Sequence, residues 1–227
     1  MAGLPGGAFG VTPDGDPGFA GALQQNIPVA YTPSWGHFAL GLAVARSGDG
    51  FEWFTKHQDR DGTGTIIMGF GKPGHGFCLA PMIVDKKLDK SYNLQLQLLD
   101  EKPTSPALAI GVVDLLDQRE DLLHHPPGHE GSRSFYVTAT KQLDLWGRDA
   151  YATLGLGTHR FGNGPFGGLS LPFGDRVTGV VEYDGLGVNL GLAASLRSRP
   201  AERGSAWVLY GGLASLREPV LGVTWAH

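Results

Sequence analysis

Hydrophobic and polar residues alternate along much of this chain with the period of two that is typical of β-strands. In the clearest segment, residues 92–98, the alternating residues are Tyr92, Leu94, Leu96 and Leu98 on one face and Asn93, Gln95 and Gln97 on the other. In a second segment, residues 188–197, they are Val188, Leu190, Leu192, Ala194 and Leu196 against Asn189, Gly191, Ala193, Ser195 and Arg197. Each segment predicts a strand with one apolar face and one amide-bearing or small-residue face, which does not suit a dry sandwich core.

Weaker alternation predicts further strands, separated by short turn sequences. They are expected near residues 64–71, 76–84, 105–116, 133–142, 149–161, 164–173, 176–184, 204–213 and 219–226, in addition to a clear strand at residues 37–46 with Phe38, Leu40, Leu42 and Val44 on one face and small residues on the other. The total is about twelve, an even number as in bacterial single-chain membrane barrels. The turns favour hairpins over crossovers, so we predict an all-β fold in which an antiparallel meander closes into a barrel of the outer-membrane type.

One hairpin allows a prediction of register. Across the turn 184–187 we expect Glu182 to face Asn189. The same register sets Val181 opposite Leu190 and Tyr183 opposite Val188, which keeps both faces of the hairpin consistent.

The first 36 residues have a different character from the rest of the chain. They are rich in glycine and proline, with a dense turn signal at residues 13–18, and they predict an irregular N-terminal segment that could pack at the barrel mouth. Residues 37–227 form the predicted barrel domain.

Composition narrows the function classes. The formal net charge is −4, and there is no basic cluster, so nucleic acid is not an expected partner. A single cysteine, Cys78, cannot form an internal disulfide. No apolar run is long enough for a helical membrane span, and the first residues lack a basic and apolar leader. We therefore expect either that an export leader has been removed or replaced, or that the protein is not exported.

Candidate chemistry is sparse, and we predict neither catalytic residues nor a metal or cofactor. The polar faces give a set of predicted lumen-lining residues: Asn93, Gln95, Gln97, Glu182, Asn189 and Arg197. Three histidines could offer imidazole ligands, but prolines interrupt them and we interpret them as a surface loop; they are His124, His125 and His129. The five tryptophans fall near predicted strand ends, where both an interfacial girdle and an ordinary β core would place them.

Several segments resemble the YjbH-like outer-membrane β-barrel family, which is associated with exopolysaccharide export. The segments are Pro106–Asp114 and Phe135–Lys141, followed by Leu154–Gly157, Phe166–Gly168, Val181–Gly185 and Asn189–Leu192. They follow one another like successive family hairpins, and the resemblance covers roughly residues 91–198. It implies a role in envelope structure or exopolysaccharide export, in contact with outer-membrane lipid and with polysaccharide or export components.

Two alternatives remain at this point. A soluble β-barrel or sandwich that binds a small ligand would turn Asn93, Gln95 and Gln97 outward to water. A polysaccharide hydrolase would pair two carboxylates, such as Glu182 and Asp114, across an open cleft. The sequence leaves open whether the lumen is plugged and how many copies associate.

Overall fold

The described strands all run antiparallel to their neighbours. In this computed structural model the described residues are 10–19, 21–45, 61–72, 74–83, 90–116, 133–196 and 205–227. Their strands are β1 (Gly10–Val11), β2 (Pro17–Gly18), β3 (Phe38–Ala45), β4 (Asp61–Lys72), β5 (His75–Ile83), β6 (Lys90–Leu99), β7 (Ala107–Val113), β8 (Ser134–Leu145), β9 (Arg148–Gly157), β10 (Gly164–Pro172), β11 (Val177–Tyr183), β12 (Val188–Ser195), β13 (Ala206–Ala214) and β14 (Glu218–Ala226). A single turn of 3-10 helix, His159–Phe161, precedes β10.

Strands β3 to β14 form a closed barrel of twelve strands in chain order. The barrel closes where β14 pairs with β3, from Val220 opposite Ala45 to Ala226 opposite Ala39. The predicted all-β meander is therefore confirmed. The predicted hairpin register is also confirmed, because Glu182 lies opposite Asn189, with Val181 opposite Leu190 and Tyr183 opposite Val188.

The two faces of the wall differ as the period-two pattern predicts. On β6 the inward residues Asn93, Gln95 and Gln97 are buried, whereas Leu96 and Leu98 are exposed on the outside. Twelve strands about 4.8 Å apart and tilted about 40° enclose a backbone cylinder roughly 24 Å across. Inward side chains from the wall and one additional polypeptide segment can fill that space.

Inward aromatic rings lie flat against glycines of the neighbouring strand. A Cβ added to Gly111 would come within 2.3 Å of the Tyr136 ring, and one added to Gly155 within 2.3 Å of the Phe166 ring. Both pairs are direct cross-strand partners. Glycine at these positions makes room for a large ring inside a narrow barrel, which accounts for part of the high glycine content.

The barrel has two rims with connections of different length. We call the rim where β3 begins and β14 ends the terminal rim, and the opposite one the distal rim. The connections at the terminal rim are 73–74, 100–106, 146–147, 173–176 and 196–205, and those at the distal rim are 46–60, 84–89, 114–133, 158–163, 184–187 and 215–217. The two longest connections therefore join strand ends of the distal rim.

The described part of the N-terminal segment, residues 10–19 and 21–36, lies largely inside the barrel. β1 and β2 form a small hairpin, with β2 close to β3, β13 and β14. The next described residues, 21–33, are buried along their whole length, and we call them the plug. The chain then leaves the interior at the terminal rim, where the Trp35 N–H donates to the Gly71 carbonyl, and enters β3.

Some residues discussed from the sequence lie outside the described part of the chain. They are Trp53, His124, His125, His129 and Arg197. Asp114 directly follows β7, is buried, and has a positive φ of 55°. The described residues include no helix that is long and apolar enough to cross a membrane.

Candidate functional site

The plug runs along the inner wall, and its backbone forms hydrogen bonds with side chains of successive strands. Leu23 meets Ser170 on β10, where the serine Oγ accepts the Leu23 N–H at 3.0 Å and donates to the Leu23 carbonyl at 2.7 Å. Further along, the Thr138 Oγ1 on β8 donates to the Pro28 carbonyl at 3.0 Å. The plug has no regular secondary structure, so the wall side chains replace the partners that a helix or sheet would provide.

The turning point of the plug is held by a carboxylate. Glu182 accepts the backbone N–H of Gln25 at 2.8 Å through Oε2 and that of Asn26 at 2.6 Å through Oε1. Glu182 is fully buried on β11, near the distal rim. Two short hydrogen bonds from consecutive N–H groups fix both the position and the direction of the plug at its turning point.

Asn189 and Asp184 extend this contact into a network. The Asn189 Nδ2 donates to Glu182 Oε1 at 3.0 Å and to Asp184 Oδ2 at 2.9 Å. The Asn26 side chain donates to the same Asp184 oxygen at 3.2 Å, and Arg160 Nη2 donates to the Asn26 carbonyl at 3.2 Å. Asn26 is thus held through its backbone N–H, its backbone carbonyl and its side chain.

The returning half of the plug is held by threonine and glutamine side chains. The Ala30 N–H donates to Thr140 Oγ1 at 2.8 Å. Gln95 Nε2 donates to the Tyr31 carbonyl at 3.3 Å, and Gln97 Oε1 accepts the Thr32 N–H at 3.0 Å. These contacts place the polar face of β6 against the plug backbone.

The side chain of Tyr31 is bound at the terminal rim. Its hydroxyl donates to the Glu101 carboxylate, which also accepts from Lys141 Nζ at 2.8 Å. Burial, followed by the hydrogen bond to Glu101, raises the pKa of Tyr31 far above its ordinary value of 10. The tyrosine therefore keeps its proton, and remains a donor, at pH values above 10 at which an exposed tyrosine would lose it.

The structure brings most of the predicted lumen-lining residues into one polar interior. Gln95, Gln97 and Glu182 bind the plug directly, and Asn189 positions Glu182. Asn93 is buried on the same face but has a different task, because its Oδ1 accepts the Asp114 N–H at 2.9 Å and so holds the end of β7. Arg197 lies outside the described residues.

Sequence reasoning missed several residues that hold the plug: Thr138, Thr140, Arg160, Ser170, Asp184 and Tyr210. A signal for the threonines exists, since Ser134, Tyr136, Thr138 and Thr140 alternate with apolar residues in β8. For Tyr210, whose hydroxyl donates to the Gln25 side chain, no local pattern indicates a partner so distant in sequence.

This arrangement blocks the barrel interior. The plug occupies the interior, and Glu182, one of the buried carboxylates, already accepts three N–H donors. Among the described residues, no three His, Cys, Asp or Glu side chains are grouped as metal ligands.

One comparison with known proteins finds a match. The family model described as "Exopolysaccharide biosynthesis protein YbjH" matches residues 80–186. This range covers the wall from β5 to β11 and includes Gln95, Gln97 and Glu182. No curated protein matches the chain. The resemblance predicted from the sequence is thus confirmed, and over residues 80–186 the chain is similar to that exopolysaccharide biosynthesis family.

Proposed function

We propose that this protein is an outer-membrane β-barrel whose lumen is closed by its own N-terminal segment, and that it serves exopolysaccharide export or envelope structure. The observation that carries the proposal is that the barrel wall is apolar on its outer face and polar on its inner face. Leucines and valines are exposed outside, while amides, hydroxyls and a carboxylate are buried inside.

The outer face supports contact with lipid. In β10–β13, all of which the structure describes, no outward-facing residue is charged. Large exposed side chains on these strands include Leu169, Val181, Leu190, Leu192 and Leu209. A water-soluble protein rarely exposes a continuous apolar surface of this extent, whereas a membrane barrel requires one.

The rims support an orientation in the membrane. The four described tryptophans all lie at the terminal rim, where indole rings prefer the membrane interface; they are Trp35, Trp146, Trp207 and Trp225. Outer-membrane barrels have short periplasmic turns and longer external loops. The proposal therefore sets the terminal rim toward the periplasm and the distal rim, with connections 46–60 and 114–133, toward the exterior.

The other two functions considered from the sequence have less support. A soluble ligand-binding barrel needs an outer surface that water tolerates and an open interior, and the plug occupies the interior here. A hydrolase that uses Glu182 and Asp114 needs both carboxylates in an open cleft, whereas Glu182 is fully buried and bonded to the plug. We propose no enzymatic activity.

Membrane residence is tested by extraction and gel mobility. Membranes from expressing cells are extracted with and without detergent, and the extract is run on gels with and without boiling. We expect the protein to require detergent and to migrate faster unboiled than boiled, because a folded barrel resists unfolding by the gel detergent. A protein that dissolves fully without detergent would falsify the membrane assignment.

The exopolysaccharide role needs a separate experiment. Secreted polysaccharide is measured in the source strain, in a strain that lacks the gene, and in that strain complemented with wild type or with Glu182→Gln. Loss on deletion with restoration by wild type supports the role, and unchanged secretion in the deletion strain contradicts it.

A further inference from the structure

A long apolar groove crosses the outer wall from β13 to β6, with a volume of about 720 Å³. Its lining follows two rows of residues that face each other across the strand ladders. One row runs Trp207, Trp225, Leu40, Ile66, Pro81, Tyr92, and the other Val223, Leu42, Gly64, Ile83, Lys90. Six strands about 4.8 Å apart give the groove a length of roughly 24 Å.

The floor of the groove is made by two residues that are unusual in a central strand. Gly64 faces outward without a side chain, so the wall is thin at that point. Pro81 has no N–H to donate to the ladder, and the β4–β5 pairing skips Ile66 and Ile67 between Thr65 opposite Met82 and Met68 opposite Leu79, without a change of register. The wall is therefore hollowed in mid-strand, where a regular barrel would present a continuous row of side chains.

The two ends of the groove differ in chemistry. Trp207 and Trp225 stand at the terminal rim, with ring centroids 6.5 Å apart. Lys90 and Tyr92 stand at the distal end of β6. Lys90 is exposed, and no carboxylate among the described residues pairs with it. Among the residues that the structure describes, the groove thus has an apolar body and one positive charge, Lys90, at one end.

We infer that this groove binds one anionic lipid, with an acyl chain along the Gly64 and Pro81 floor and the lipid phosphate at Lys90. The inference rests on the proposed membrane location, which sets the outer wall in lipid. Charge complementarity selects the occupant, because an amphiphile with one negative head and an apolar tail matches both the body and the end of the groove.

Two outward glycines provide a matched pair of test variants. A Cβ on Gly64 would have as its only close neighbour Leu42 Cδ2 at 3.5 Å, and one on Gly211 only Leu221 Cδ2 at 3.5 Å. Both positions therefore accept a side chain. Gly64→Leu fills the groove, whereas Gly211→Leu changes the outer wall of β13 outside it. Lys90→Gln removes the charge and leaves the apolar body.

The experiment is native mass spectrometry of the full chain in detergent, with added phosphatidylglycerol or phosphatidylcholine of matched acyl chains. We expect wild type and Gly211→Leu to retain one phosphatidylglycerol. Gly64→Leu should weaken retention about tenfold or more, because leucine displaces several acyl carbons. Lys90→Gln should bind the two lipids equally.

Each other outcome overturns the inference. Retention by Gly64→Leu equal to that of wild type, or equal loss in Gly211→Leu, contradicts the groove as the site. A wild-type dimer that Gly64→Leu dissociates would assign the groove to a second copy of the chain. A barrel that requires detergent but retains no lipid refutes this inference alone, whereas a chain soluble without detergent refutes the proposed function as well.

Discussion

Glu182 and Asn189 face each other across the β11–β12 hairpin, and the Asn189 Nδ2 donates to Glu182 Oε1 at 3.0 Å. Both carboxylate oxygens also face the plug. Oε2 accepts the N–H of Gln25, and Oε1 accepts that of Asn26. A hairpin formed by local turn chemistry thus presents the residue that holds a segment from the other end of the chain.

Replacing Glu182 with glutamine should loosen the plug without opening the wall. Glutamine supplies one acceptor oxygen instead of two. Its amide NH2 group is a donor and would point at a backbone N–H, which is also a donor. We expect a loss of about 1–3 kcal/mol in local stability. Hydrogen exchange of the Gln25 and Asn26 amides, followed by mass spectrometry, should quicken by tenfold or more.

Asp175→Asn is the matched control, because it makes the same chemical change at an exposed carboxylate in a terminal-rim turn. Its plug amides should exchange at the wild-type rate. Equal protection of residues 25 and 26 in wild type and Glu182→Gln would show that the carboxylate does not hold the plug.

The strands and the hairpin register could be predicted because both depend on local patterns. Alternation of side chains sets the two faces, and a short turn between Tyr183 and Val188 leaves few ways to pair the strands. The same parity in β8, with Thr138 and Thr140 on the inward face, was available in the sequence and would have indicated two more plug contacts.

The path of the plug could not be predicted in this way. Its backbone is irregular, so no periodicity marks which residues face the wall. Its partners are also remote, since Gln25 and Glu182 are 157 positions apart and Ala30 and Thr140 are 110 apart. The glycine and proline content of residues 1–36 indicates only that regular structure is unfavourable there.

Gly191→Ala should disturb the plug through Tyr210. A Cβ on Gly191 would lie 1.9 Å from the Tyr210 hydroxyl oxygen, which donates to the Gln25 side chain. The ring has to move, and we expect a cost of about 1–3 kcal/mol, measured by urea unfolding in lipid vesicles. Gly211→Ala, with its added carbon at 3.5 Å from Leu221, should be nearly neutral.

A double-mutant cycle separates this mechanism from a general effect of alanine. If the clash with the ring is the cause, Gly191→Ala should cost much less in a Tyr210→Ala background than in wild type. If Gly191→Ala costs the same free energy of unfolding in both backgrounds, the effect belongs to the β12 backbone and not to the clash with the ring.

The Tyr31 contact predicts a loss of stability in alkali. Burial and the bond to Glu101 raise the folded-state pKa of Tyr31 above its ordinary value of 10. The contribution of the protonated hydroxyl is therefore complete below about pH 10 and decreases as the pH rises above that value. The unfolding midpoint in urea, measured from pH 8 to pH 11.5, should fall less steeply for Tyr31→Phe than for wild type. Parallel curves would mean that Tyr31 does not contribute to the alkaline loss.

Two outward leucines of nearly equal exposure distinguish a lipid-facing wall from a water-facing one. Leu192 lies in the middle of β12 and is 56% exposed, whereas Leu186 lies in the distal turn 184–187 and is 52% exposed. In a bilayer, Leu192→Lys should cost about 2–4 kcal/mol because its charge meets the hydrocarbon, and Leu186→Lys about 0–1 kcal/mol because its charge reaches the interface. The measurement is the free energy of unfolding in lipid vesicles. A wall that faces water would tolerate lysine at both positions, so equal and small effects would remove the lipid-facing assignment of β12.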